Sequence, residues 1–135
     1  MMSRLKFTSK LLGLACAAGL CLGATFTWTD GGGDHDWDTA DNWSIIGVGL
    51  CPYPCSGSDD AIFPTSAGGW TCRLVTESIE DLSIAGSVEF GSADPNDPNG
   101  VTLTVDSLSI GSPSGSSALE VEVTENATIQ VLENP

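Results

Sequence analysis

The sequence predicts an all-β fold, a short right-handed parallel β-helix (a β-solenoid) carrying an N-terminal Trp/Gly-rich capping segment, with a small β-sandwich as the alternative. Three observations point there. From Trp70 onward, short alternating runs of Val, Leu, Ile and Thr are separated by Gly, Ser, Asp, Asn and Pro, and none sustains the spacing of an amphipathic helix. Within that stretch Thr76–Gly86 lies over Thr102–Ser112 with an offset of 26 residues, matching Ile79 to Val105, Leu82 to Leu108, Ser83 to Ser109 and Ile84 to Ile110. Another such step reaches Thr128, where Thr-Ile-Gln-Val-Leu repeats the pattern. A unit this short cannot bury its apolar face by itself and must stack on its neighbours. A sandwich with regular hairpins would give a similar spacing, hence the alternative.

The N-terminus carries a different signal. Arg4, Lys6 and Lys10 precede an apolar run from Leu11 to Leu22, followed by Gly23 and Ala24. A basic start, a short apolar stretch and small residues at its end describe a secretory signal peptide over residues 1–24, cut after Ala24, although Leu22 three residues before that cut is larger than ideal. About a dozen apolar residues are too few to cross a bilayer as a helix. A lipoprotein through Cys16 is disfavoured because Gly13-Leu14-Ala15 lacks the expected leucine three residues upstream. The reading is of a secreted, extracellular or cell-surface protein, with no membrane insertion of the mature chain.

Behind the leader stand residues 25–69, rich in Trp, Gly and Asp, and residues 70–135, the strand repeat region, which stops without a polar capping segment and is expected to be truncated. Strands are predicted at Thr25–Trp28, at Asp60–Phe63 after a Gly-Ser-Asp turn cluster, over Ala118–Val123 and from Thr128 to Leu132. About 110 residues leave room for one domain.

Charge narrows the partners. The whole chain has a formal charge of −14, and three of its four basic residues lie in the leader. The remainder keeps Arg73 against 18 acids, a formal −17. Nucleic acid is excluded as a partner, since its binding relies on Lys and Arg, as are anionic membrane surfaces. Extracellular polysaccharide or cell-surface components remain.

Cys51, Cys55 and Cys72 allow one disulfide with a thiol left over; Cys51 could close on Cys55, or either could reach Cys72. Zinc is disfavoured with His35 as the sole histidine. Asp34, Asp36 and Asp38, in the turn after Gly31–Gly33, are candidates for weakly bound calcium. The segment is no EF-hand, having Thr39 at the sixth loop position and Ile45 at the twelfth. Turn formation and solubility are the commoner roles of such aspartates. Trp28, Trp37, Trp43 and Trp70 are candidate sugar-stacking residues, against the commoner role of core anchors with satisfied indole N–H groups.

These elements carry a resemblance. Trp28, Gly31–Gly33, Trp37, Asn42-Trp43-Ser44, the Gly57–Phe63 run, Leu82–Ile84 and Leu108–Gly111 together resemble the N-terminal region of exported bacterial β-helical proteins, related to autotransporter passenger domains and their associated β-strand repeats. The resemblance implies a right-handed parallel β-helix displayed outside the cell, with Trp28–Phe63 covering its first coil. Cys51-Pro-Tyr-Pro-Cys55 departs from that pattern, and no membrane-barrel sequence follows. Catalysis is not expected: there is no Gly-x-Ser-x-Gly elbow, His35 has no evident Ser or Cys partner, and Lys is absent beyond the leader. The expected function is a non-enzymatic structural or adhesive segment, possible as the N-terminal part of a longer surface protein; the alternative is a small carbohydrate-binding module.

Overall fold

Parallel pairing dominates the structure, a computed structural model that describes residues 23–94, 96–111, 119–124 and 126–132. The leader, apart from Gly23 and Ala24, lies outside the described residues. Nine strands are described: β1 (Ala24–Trp28), β2 (Trp43–Gly47), β3 (Asp60–Phe63), β4 (Trp70–Leu74), β5 (Glu77–Ile84), β6 (Val88–Ser92), β7 (Val101–Ile110), β8 (Val121–Val123) and β9 (Ala127–Val131). A 3-10 turn, Ala40–Asn42, precedes β2.

The strands form a six-stranded sheet in the order β2-β1-β3-β5-β7-β9 and a three-stranded sheet in the order β4-β6-β8. Every neighbouring pair is parallel except β1 with β2. From β3 to β9 the chain changes sheet at every step, so the parallel pairs among these strands are separated by an excursion to the other sheet, whereas β1 and β3 are separated by β2 of the same sheet. Parallel neighbours need such a crossover, because no tight turn can join them.

Registers explain the sequence match. β5 pairs with β7 as Ile79 with Val105, Leu82 with Leu108 and Ile84 with Ile110, an offset of 26. β7 pairs with β9 at the same offset, Thr102 with Thr128 and Val105 with Val131. Elsewhere the turns absorb other lengths: the offset is 21 from β3 to β5, 18 from β4 to β6 and 33 from β6 to β8. Stacking therefore preserves which side chains face inward, while the turns vary.

Alternation then builds the core, since successive side chains of a strand face opposite sides of the sheet. In the large sheet Phe26, Ala61 and Leu82 lie in register and are buried. In the small one Cys72, Leu74, Val88 and Phe90 point inward. Both sheets pack around one cluster, which also takes Trp28, Trp37, Trp43 and Phe63.

The strand β2 differs from the rest. Its burial is confined to Trp43, and Ile45 and Ile46 are exposed, followed by exposed Val48 and Leu50. It is an edge strand held by its backbone pairing to β1.

Candidate functional site

Three places concentrate chemistry-bearing side chains: the turn between β1 and β2, the outer face of the small sheet, and the turn before β3. The first begins at Asp30 and His35, both left-handed (φ 55° and 64°). Asn42 organises it. Fully buried, its amide nitrogen donates to Asp34 Oδ1 (2.7 Å) and to the Asp36 carbonyl (2.8 Å), while its amide oxygen accepts from Gly32 N–H (2.8 Å). Asp34 Oδ2 accepts from the Thr39 hydroxyl (2.7 Å), and Oδ1 also accepts from Asp36 N–H (3.1 Å). These donors, the Thr39 hydroxyl foremost, hold the Asp34 carboxyl down at about 2.

Arg73 fastens this turn to β4. Its guanidinium donates to the Asp34 carbonyl (2.6 Å) and pairs with Asp36 (3.2 Å), and its backbone bridges the segment beside Asp36. Burial nevertheless outweighs Arg73 at Asp36 and raises that carboxyl. Of the calcium candidates, Asp34 is engaged by internal donors and Asp36 by Arg73. Among the described residues no three His, Cys, Asp or Glu side chains are placed to hold a metal ion. His35 Nδ1 lies 2.6 Å from Asp30 Oδ2.

The tryptophans divide. Trp28, Trp37 and Trp43 are buried and pack on one another and on Phe63: Trp28 with Trp43 at 4.9 Å, Trp37 with Trp43 at 4.8 Å and Trp28 stacked on Phe63 at 5.4 Å. A sugar ring cannot reach them, so they are corrected from candidate stacking residues to core. Trp37 Nε1 donates to the Pro54 carbonyl and Trp43 Nε1 to the Trp37 carbonyl, whereas Trp28 Nε1 is buried without a partner. Trp70 is half-buried, its Nε1 donating to the Pro64 carbonyl (2.6 Å).

Trp70 borders a groove of about 330 Å³ on the outer face of the small sheet. Its wall is a ladder in register: Thr71 beside Glu89 beside Glu122, all exposed. Glu120 joins it from the approach to β8, its N–H bonded to the Ser87 hydroxyl (3.0 Å). Gly68 and Gly69 leave the other wall low; Gly69 takes φ 75° at the turn into β4. The carboxylates and hydroxyls of this face can accept hydrogen bonds from a polyhydroxylated ligand. Like charges directly opposite across strands repel, so a cationic or hydroxyl-rich ligand suits this face better than an anion.

The cysteines resolve the open pairing. Cys51 and Cys55 form a disulfide with Cα atoms 6.0 Å apart, and Cys72 is free and buried in β4. Burial, and secondarily Asp30 and Asp36, push the Cys72 thiol well up, which makes it a packing residue rather than a nucleophile. Asp60, in β3, is raised to about 6 by burial first and then by Asp81 and Glu80. Its Oδ1 accepts the Asp81 N–H (3.2 Å) within the sheet.

The buried roles of two fully buried polar residues escaped the sequence reading. Besides Asn42, Asp59 is fully buried and accepts three backbone N–H bonds, from Ala24 (3.0 Å), Cys55 (3.0 Å) and Ser56 (3.1 Å). The only signal for it was its place in the Gly57-Ser58-Asp59 turn. Comparison with protein-family models, with curated proteins and with solved structures finds no match to this chain.

Proposed function

We propose that the chain is an exported, non-enzymatic structural or adhesive segment built as a β-solenoid, of the kind found in autotransporter-like β-strand repeat proteins. One observation carries this reading: β5, β7 and β9 stack in parallel at a constant offset of 26 residues while the chain alternates between two sheets. Each such turn buries its apolar row against the next, which is how a scaffold lengthens without a new core. The N-terminal segment supports the same reading, since its aromatic side chains cover the start of the stack. The basic and apolar leader, the high negative charge and the Cys51–Cys55 disulfide support export.

The test is methyl NMR on the exported protein. In a solenoid Ile79, Val105 and Val131 form one row, each about 4.8 Å from the next across neighbouring strands. Contacts between Ile79 and Val105 and between Val105 and Val131 are expected. A spectrum in which these methyls lack mutual contacts, as in a sandwich of antiparallel hairpins, refutes the solenoid.

A specific observation favours a second reading, carbohydrate contact: the groove that joins Trp70 to Glu89, Glu120 and Glu122. With three tryptophans buried, a polysaccharide should change only the Trp70 contribution to emission. Titration of wild type and Trp70→Phe separates that contribution. Identical responses of the two proteins count against the groove.

A further inference from the structure

Ala24 is the first residue of strand β1. Ala24 is buried, pairs with Gly47 in β2, and its backbone N–H points at Asp59 Oδ1. Among the described residues no cation stands beside Asp59. Among the described residues Arg73 is the single Arg or Lys, and it is held by Asp36 and the Asp34 carbonyl at the other turn. A fully buried carboxylate is rarely kept without a positive partner.

The residue before is constrained from the opposite direction. A Cβ at Gly23 would lie 1.6 Å from the Ser58 carbonyl oxygen, so only glycine fits at that point. A cut after Ala24 removes a buried strand residue and takes one of the three donors from Asp59. A cut one bond earlier keeps both. It also places Cys21 and Gly23, both small, at the third and first positions before the cut, where a cut after Ala24 has the larger Leu22 at the third.

We propose that a signal peptidase hydrolyses the Gly23–Ala24 bond, and that the Ala24 α-ammonium so created is the missing cation of Asp59. One water is consumed: its hydroxyl goes to the Gly23 carbonyl carbon, leaving as the carboxylate of the released leader, and Ala24 nitrogen gains protons to become –NH3+. The amide donor at 3.0 Å thereby turns into a charged donor at the same place, where low polarity strengthens the pair. Processing thus completes the fold: the leader's removal supplies the charge that the turn between the disulfide and β3 is built to receive. This inference rests on the export reading.

The experiment is to produce the full chain with its own leader in a secreting bacterial host and determine the intact mass and N-terminal sequence of the exported product. Ala24 as first residue is expected. A product beginning at Thr25, or at any other residue, overturns the inference and leaves export standing; a chain retained uncut in the cell overturns both. The pair itself is read from acetylation of the exported protein by limiting acetic anhydride at neutral pH. The Ala24 amine should react about tenfold or more slowly in the native protein than in urea, because a neighbouring carboxylate holds it charged. Asp59→Asn should abolish most of that protection without moving the cut. Equal rates in native and unfolded wild type, a comparison that needs no variant, overturn the pairing.

Discussion

Replacing Phe63 by alanine should remove the joint between the N-terminal segment and the strand stack. Phe63 is fully buried in β3 and meets four aromatic rings: Phe90 of β6 at 5.1 Å, Trp28 at 5.4 Å, Trp43 at 5.7 Å and Trp37 at 6.4 Å. A buried Phe→Ala change costs about 3–5 kcal/mol through lost transfer energy and the cavity left behind. Aromatic pairs add about 0.5–1.5 kcal/mol each, though four pairs that share one ring do not add in full. The upper end, about 5 kcal/mol, is therefore expected, comparable with the whole stability of a marginal domain. With a urea slope of about 1.5 kcal/mol/M the midpoint falls by about 3 M. Phe63→Leu, which keeps most of the volume, should lose about 1–2 kcal/mol. Ile110→Ala, at a half-exposed position, should lose under about 1 kcal/mol. Tryptophan emission reports the N-terminal cluster and far-UV circular dichroism the strands; the two transitions should coincide in every variant that folds. A Phe63→Ala cost near 1 kcal/mol, or wild-type transitions that separate by probe, refutes the idea that one core joins the two parts.

Other outcomes follow from the polar sites. Asn42→Ala deletes three hydrogen bonds at a fully buried position and should cost about 2–4 kcal/mol by urea unfolding. Cys51→Ser with Cys55→Ser opens a small loop and should lower stability by about 2 kcal/mol. Cys72 should be alkylated only after denaturation, as judged by mass. Stability should also fall as pH rises from about 4 to about 6, because the native state keeps a proton on Asp60 that the unfolded chain gives up near pH 4. Asp60→Asn should flatten that slope and raise the midpoint above pH 6. Asp34 acts with the opposite sign: its contribution is complete above about pH 4 and is lost as pH falls toward 2, so midpoints measured across pH should pass through a maximum.

How much of this was legible in the sequence depended on whether a feature is local. β3 reads off its turn cluster and its alternation, and the structure places it at Asp60–Phe63. The offset of 26 residues was visible because identical residue types recur at Leu82 and Leu108 and at Ser83 and Ser109, and these pairs are neighbours in register. β2 was missed because Ser44–Leu50 has no alternation to detect; its side chains are exposed on both faces and it exists through backbone pairing with β1. The tryptophans could be read either as platform or as core, since only the return of β3 brings Phe63 against them, with Phe90 of β6 behind it. Asn42 and Asp59 were invisible for a related reason. A polar side chain is stable in the interior only when partners arrive to meet it, and these, Gly32 N–H for Asn42 and Ala24 N–H for Asp59 among them, are positioned by the folded turns and strands.

The parallel in-register stacking has a colloidal side. Among the described strands β9 borders the large sheet, and Val123, Ile110 and Leu132 are exposed; an uncovered strand edge can recruit strands from other molecules. Parallel registry brings carboxylates of successive strands side by side as well, as with Asp60 and Asp81 or Glu89 and Glu122. Any molecule adding to that edge carries the same excess of acid toward the same excess. Self-association along such an edge would be opposed by repulsion at low ionic strength and eased as salt shortens its range.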